Sequence, residues 1–221
     1  MRLSLLLGLV LAASSLVRTA HAQLEEELLY DPFENTRGFM LGLRGGFVPA
    51  MTASGERQFE GTDVATTWGS GYGVQLGYGY SPHLLFFGSV DQSTHESDNA
   101  QISSDITLYH FDFGARWHFR PSDYRIVPYV SLAIGGKQLY THQFIDPGGT
   151  ARRTTINARA IVPGGGLQVF FTENFAVEGN AAVSIGGFRR ISVDGAGRQR
   201  LYSNGGVTSR ISLGVNWYPN D

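Results

Sequence analysis

Residues 68–80 read Trp-Gly-Ser-Gly-Tyr-Gly-Val-Gln-Leu-Gly-Tyr-Gly-Tyr. Glycine or Gln75 occupies every odd-numbered position from 69 to 79, and larger side chains such as Tyr72 and Leu76 alternate with them. Alternation with a period of two places successive side chains on opposite faces of an extended chain. The stretch therefore predicts a β-strand with one bulky apolar face and one face almost free of side chains.

The same alternation recurs along the chain. It is clearest in residues 109–119 and 207–217, where apolar residues alternate mostly with small or polar ones. Five further segments fit with varying quality: 39–47 fits cleanly, 84–90 is ambiguous because both of its faces are apolar, and the others are 129–134, 167–171 and 177–185. Together with residues 68–80 these segments predict eight strands.

The connections between the predicted strands alternate in length. Short, turn-like segments lie at 80–83, 120–124 and 172–174. Long polar segments, which we interpret as loops, lie at 49–66, 92–105, 141–158 and 188–206. Short turns at one end and long loops at the other are typical of transmembrane barrels. No segment has the helical period that the crossovers of a parallel sheet require.

We therefore expect a single all-β domain, an eight-stranded antiparallel up-and-down transmembrane β-barrel, over residues 38–221. Pro163 stands before three glycines within the sixth predicted strand. Proline cannot donate to a ladder, so this position predicts a β-bulge and leaves the facing of Arg159 open.

Alternation alone does not distinguish this barrel from a soluble one with an apolar interior. The charges decide, because in the well-patterned strands every ionisable group falls on the small-residue face. These groups are Arg44, Asp91, His110, Asp112, Arg116, His118, Lys137, Glu178 and Arg210. An Arg or Lys that faces lipid at mid-membrane costs about 2–4 kcal/mol, so this segregation favours a membrane barrel. Outward aromatic residues near the short turns also fit a membrane interface.

The composition narrows the possible functions. Charged residues make up 16% of the 221 residues, cysteine is absent, and the net charge is −2. These values exclude a thiol enzyme, a cysteine zinc site and a disulfide framework. They also give no electrostatic reason to expect nucleic acid as a partner.

The N-terminus has the pattern of a secretory signal. Arg2 precedes an apolar run over residues 3–16, and Ala20-His21-Ala22 forms a small-x-small cleavage site. We expect residues 1–22 to be a signal peptide cleaved after Ala22, and residues 23–37 to form an N-terminal periplasmic arm.

Four segments resemble the small outer-membrane β-barrel family (OmpA/OmpX-like, outer membrane protein beta-barrel domain). They are Gly69–Gly79, His110–Trp117, Pro128–Ser131 and Leu213–Tyr218. The resemblance implies residence in the outer membrane of a Gram-negative-type bacterium. It also implies insertion by the barrel assembly machinery, and we expect periplasmic chaperones to assist this step and outer-membrane lipid to surround the inserted barrel.

The inward charges predict a polar network in the lumen. Counted upward from the short turns, four of them lie about six to eight positions up and two lie about three up. We expect Asp91 and Asp112 to neutralise Arg44 and Arg210, and Arg116 to pair with Glu178, because unpaired buried ions are costly. The network predicts either a structural plug or a gate for small solutes.

A second set of charges marks the predicted outer rim. Six arginines of the last two long segments form an expected basic flank: Arg152, Arg153, Arg189, Arg190, Arg198 and Arg200. The first two long segments are acidic. The arginine fork suits phosphate, so we expect this flank to bind lipopolysaccharide phosphates or the acidic flank of a neighbouring copy.

The sequence offers little chemistry. His95-Glu96-Ser97 brings acid, base and hydroxyl together, but consecutive loop residues do not create nucleophile-to-base geometry. We predict no catalytic, metal or cofactor site and a non-enzymatic barrel that serves envelope integrity or surface interaction. The alternatives are a narrow pore for small solutes or ions and a lipid-A-modifying enzyme.

Overall fold

A computed structural model describes residues 36–53, 69–95, 106–120, 125–145, 151–193 and 196–219. Within these ranges eight antiparallel strands follow one another in sequence order, and β8 pairs with β1 to close a barrel. The strands are β1 (Gly38–Ala53), β2 (Gly69–Gly79), β3 (Leu84–His95), β4 (Ile106–His118), β5 (Ile126–Ile145), β6 (Ala151–Phe170), β7 (Phe175–Val193) and β8 (Ala196–Trp217). The predicted all-β, eight-stranded, up-and-down barrel is confirmed. In the described part of the chain, no helix is long and apolar enough to cross a membrane.

The end of the predicted arm is fixed beside the first strand. The Thr36 hydroxyl donates to the carbonyl of Pro82, in the turn between β2 and β3, at 3.2 Å. Gly38 then starts β1 with a φ of 88°, a left-handed conformation that glycine adopts readily. The predicted signal peptide, its cleavage site at Ala22 and the arm up to residue 35 lie outside the described residues.

The barrel is polar inside and apolar outside. Outward side chains such as Leu76 and Phe113 are exposed, whereas inward polar side chains such as Gln75 and Asp112 are buried. The aromatic residues expected near the short turns all face outward: Phe39, Tyr78, Tyr80, Trp117, Phe119, Phe171 and Trp217. Apolar residues that cover the outside of a closed barrel match a lipid environment.

The strands have unequal lengths, and this corrects the predicted loops. β2, β3 and β4 have 11, 12 and 13 residues, whereas β5, β6, β7 and β8 have 20, 20, 19 and 22. Most of 141–158 and 188–206 is therefore strand rather than loop. About 9–11 residues cross a membrane, so the upper parts of β5–β8 stand beyond it. A sheet surrounded by water can carry polar residues on both faces. Alternation between apolar and polar residues is therefore absent in these upper parts.

The bulge predicted at Pro163 is wrong. Pro163 pairs with Leu132 in a stretch of the β5–β6 register that has no shift between Ile126–Val169 and Thr141–Thr154. On the β7 side the register is the same before and after the proline, and the shift lies between Asn157 and Ala158 instead. Below that shift Arg159 is exposed and faces outward, between the buried Ala158 and Ala160.

The apolar outer face predicts how a charge acts at different depths. Val74, which is 45% exposed, lies at the middle of β2 and so near mid-membrane, and Tyr78 lies on the same face four residues lower, near the membrane edge. We expect Val74→Arg to lower the free energy of unfolding in lipid vesicles by about 2–4 kcal/mol, and Tyr78→Arg to cost clearly less. Urea titration of the inserted protein measures both. Equal costs at the two depths would contradict the assignment of the outer face to lipid.

Candidate functional site: the barrel lumen

Glu178 is the centre of the lower polar layer. Its carboxylate accepts two hydrogen bonds from the Arg116 guanidinium at 2.8 and 3.1 Å. It also accepts from the Tyr129 hydroxyl at 2.8 Å, the Gln168 amide at 3.0 Å and the Asn216 amide at 2.5 Å. A buried carboxylate with five donors is stabilised in its ionised form.

Arg116 is held on its other side by aromatic rings. Its guanidinium carbon lies 3.9 Å from the centroid of the Tyr129 ring and 5.7 Å from that of Phe87. Cation–π contacts of this kind stabilise a desolvated guanidinium. The arginine on β4 is thus tied to Glu178 on β7, across the barrel.

A second ionic layer lies higher in the lumen. Arg44 donates to both oxygens of Asp91 at 2.6 Å, and Arg210 donates to Asp91 at 2.6 Å and also to Asp112. Arg44 further donates to Gln75 at 3.2 Å. These contacts join β1, β2, β3, β4 and β8. The structure therefore brings together all the charge pairs that the sequence predicted, in both layers.

Glycines make room for the two aspartates. Gly73 pairs with Asp91, and Gly135 pairs with Asp112. A Cβ atom at either glycine would overlap the carboxylate of its neighbour. The small residues of the inward face thus provide the space in which the charged side chains lie.

Above the upper ionic layer lies Lys137, which the predicted charge pairs did not include. Its ammonium group donates to the carbonyl of Ser184 at 2.9 Å. Nearby, His110 Nε2 lies 3.3 Å from the Thr208 hydroxyl. With Lys137 included, the described lumen holds four basic side chains against three acidic ones, so its formal charge is +1 with neutral histidines. The alternation of β5 places Lys137 on the inward face, and this position is the signal that predicts it as a member of the lumen network.

The lower end of the lumen is closed by apolar side chains, which the sequence analysis also missed. These side chains form the apolar floor: Met40, Leu85, Phe87, Val127, Phe170, Ala176 and Tyr218, all buried. The rings of Phe170 and Tyr218 pack with centroids 5.5 Å apart, and the Tyr218 hydroxyl accepts from Gln168 at 2.9 Å. The period-two alternation is again the signal for this floor, because it places apolar residues at inward positions at the lower strand ends.

A small cavity lies beside the upper ionic layer. Its volume is about 30 Å³, and Arg44, Asp91, Ser93, His110 and Arg210 are among the residues that line it. A water molecule needs at least about 10–15 Å³ measured in this way, so the cavity is water-sized.

Comparison with known proteins agrees with this architecture. The family model described as outer membrane protein beta-barrel domain matches residues 9–218. The chain belongs to this family. It is an integral barrel of the outer membrane of a Gram-negative-type bacterium.

Solved structures of other outer-membrane barrels are similar in fold. Neisserial surface protein A is 17% identical with a TM-score of 0.54, and the match covers 82% of this chain and 97% of that one. OprG from Pseudomonas aeruginosa is 13% identical with a TM-score of 0.51, over 85% and 98% of the two chains. Ail from Yersinia pestis is 14% identical with a TM-score of 0.49, over 82% and 98%. No curated protein matches the sequence.

The predicted basic rim of this outer-membrane barrel falls in strands rather than loops. The backbone of Arg190 pairs with that of Arg200 between β7 and β8, and Arg198 pairs with Ser192. Arg152 pairs with Phe144 between β5 and β6. The side chains of the six rim arginines, including Arg153 and Arg189, lie outside the described residues.

The lower layer predicts strong energetic coupling between Arg116 and Glu178. We expect Glu178→Gln to lower the free energy of unfolding in vesicles by about 3–5 kcal/mol, because it leaves a buried guanidinium uncompensated. The double variant Arg116→Gln, Glu178→Gln should lose less than the two single variants added together. Additivity within about 0.5 kcal/mol in the double-mutant cycle would contradict the coupling.

Proposed function

We propose that this protein is a sealed, non-enzymatic barrel that supports envelope integrity and presents a structured outer surface. The observation that carries the proposal is the presence of two closures in series within the lumen. The first is the ionic closure, made of the upper layer of Arg44, Asp91, Arg210 and Asp112 and the lower layer of Arg116 and Glu178, and the second is the apolar floor.

The two closures act by different physics. Solute passing the ionic closure would have to separate salt bridges that connect opposite walls, which leaves buried charges unpaired. Solute passing the apolar floor would have to wet a layer of packed side chains such as Met40 and Phe170, where polar partners are few. Opening either closure alone leaves the other in place.

The tall side of the barrel supports the surface role. β5–β8 extend beyond the length that crosses a membrane and remain paired up to Ile145–Ala151 and Val193–Ala196. A paired sheet loses less conformational entropy on binding than a flexible loop does, so it is a suitable platform for contacts at the cell surface.

A narrow pore is the second candidate. Eight buried polar side-chain atoms of the described residues have no hydrogen-bond partner, among them His110 Nδ1, Arg210 Nε and Gln75 Nε2. Such atoms favour hydration of the lumen. Continuous hydration past the apolar floor would turn the plug into a leak path.

A lipid-A-modifying enzyme is less well supported. Ser93 Oγ lies 3.1 Å from His95 Nε2, but both side chains are buried inside the barrel. An enzyme that acts on membrane lipid would need its nucleophile on the outer face or at the rim. We therefore assign no catalytic role to this pair.

Conductance in planar bilayers separates the plug from the pore. We expect the purified wild-type barrel to give no steady conductance, and Arg210→Ala or Phe170→Ala alone to stay closed. The combination of Arg210→Ala, Arg116→Ala and Phe170→Ala should conduct, because both ionic layers and the floor are weakened, whereas the same two arginine changes with the outward Phe113→Ala should not. Steady wild-type conductance would favour the pore.

We further propose that the partners are lipid and the biogenesis apparatus. The rim arginines would bind lipopolysaccharide phosphates with bidentate geometry. Insertion would use the barrel assembly machinery after passage with periplasmic chaperones, as is expected of a member of this family.

The rim proposal predicts salt-dependent binding. Changing Arg189, Arg190, Arg198 and Arg200 to Gln should weaken the binding of intact lipopolysaccharide at low salt, and the difference from wild type should shrink as salt rises. Binding is measured with the barrel immobilised in detergent. Unchanged binding at low salt would contradict the rim proposal.

A further inference from the structure

The outer surface of β5–β8 contains an abrupt step. Ile134, Ile161, Ile185 and Val207 lie in one register row across the four strands, and all are exposed. The next outward row above them consists of Gly136, Arg159, Gly187 and Gly205. We call these two sets the isoleucine row and the glycine row. One long cationic side chain thus stands in a row that otherwise has no side chains.

Arg159 is unusual among the outward residues. Of the strand residues with described side chains, it is the one that places a charge on the outer face. It forms no hydrogen bond or ion pair with another described residue. Each charged residue that faces the lumen, in contrast, has a partner there.

The height of Arg159 matches the outer edge of the membrane. It lies eleven residues above Phe170, where β6 ends. At about 3.4 Å per residue and a tilt of about 40°, this distance corresponds to roughly 28 Å, just above an apolar band about 25 Å tall. Lipid headgroups begin at this level, while the isoleucine row below it still faces acyl chains.

The glycine row leaves space around the guanidinium. A Cβ atom at Gly136 would meet one atom within 4 Å, the carbonyl oxygen of Ala158 at 3.8 Å. Gly187 on β7, the partner of Arg159 on its other side, likewise adds no side chain to this row. A phosphate could therefore approach Arg159 from the side without displacing protein atoms.

We propose that the glycine row and Arg159 form a binding site for a phosphate of lipid A in the outer leaflet. The guanidinium would donate two hydrogen bonds to the phosphate, and an acyl chain would pack on the isoleucine row. Lipid A fits better than a phospholipid because its several acyl chains match a row four strands wide. This site deepens the proposed contact with lipopolysaccharide but is independent of the rim arginines, which lie higher.

Native mass spectrometry of the detergent-purified barrel tests the site. The probes are bisphosphorylated lipid A, the same lipid without phosphates, and phosphatidylglycerol. We expect wild type to retain bisphosphorylated lipid A best and Arg159→Gln to bind it about tenfold more weakly, with Arg159→Lys in between. Gly136→Ile should give the same loss, because it fills the open space beside the guanidinium while leaving the charge.

Gly88→Val is the matched control for the glycine change. Gly88 is an outward glycine on β3 whose added Cβ would meet Phe113 at 3.9 Å, so the substitution also adds bulk in open space, but away from Arg159. It should leave lipid A binding unchanged. Heat-modifiability on gels verifies that every variant is folded.

Two results would overturn the proposal. Equal retention of lipid A by wild type and Arg159→Gln would remove the site, and equal retention of phosphatidylglycerol and lipid A by wild type would remove the choice of lipid. The rim proposal is tested separately, because the fourfold rim variant should keep its affinity for lipid A that lacks core sugars. If the rim variant alone lost affinity for lipid A while Arg159→Gln kept it, the phosphate contact would belong to the rim arginines, and the Arg159 site would be contradicted.

Discussion

A backbone amide that faces hydrocarbon can bond only to another strand, and this constraint determines the rest of the structure. It requires β1 and β8 to meet, as they do from Leu41–Trp217 upward. Closure with eight strands then leaves an interior just wide enough for side chains. Inward side chains must therefore pack against one another or form ion pairs within that space. The outward side chains contact lipid and are apolar.

Large charged side chains fit in this narrow interior because the neighbouring strand places a small residue beside them. Asp91 and Asp112 each lie beside a glycine, which removes a side chain where a carboxylate needs room. Glu178 lies deeper and is surrounded by donors from several strands. The high glycine content of the chain is thus part of the electrostatic arrangement, because without those gaps the ions could not reach one another.

The alternation of inward and outward positions explains which parts of the structure the sequence predicts and which it does not. Period-two alternation fixed the facing of each membrane strand, so the partners of Arg44 and Arg116 could be chosen from heights alone. Alternation ends where both faces meet water, so the sequence predicts loops where the structure has the upper parts of β5–β8. Pro163 predicts a disturbed register, but β5 pairs with it directly, and the pairing with β7, interrupted at Val162 and Pro163, resumes in the same register. The facing of Arg159 followed only from the register.

The lumen contacts connect residues that are far apart in the chain. Arg210 and Asp91 are 119 residues apart, and Arg116 and Glu178 are 62 apart. The pairs of Arg210 join β8 to β3 and β4 across the lumen, so they form only after the last strand has joined the sheet. Interactions that are absent from the transition state slow unfolding rather than speed folding. We therefore expect the upper ionic layer to give the closed barrel kinetic persistence, because separating β1 from β8 requires the contacts of Arg44 and Arg210 with Asp91 to break.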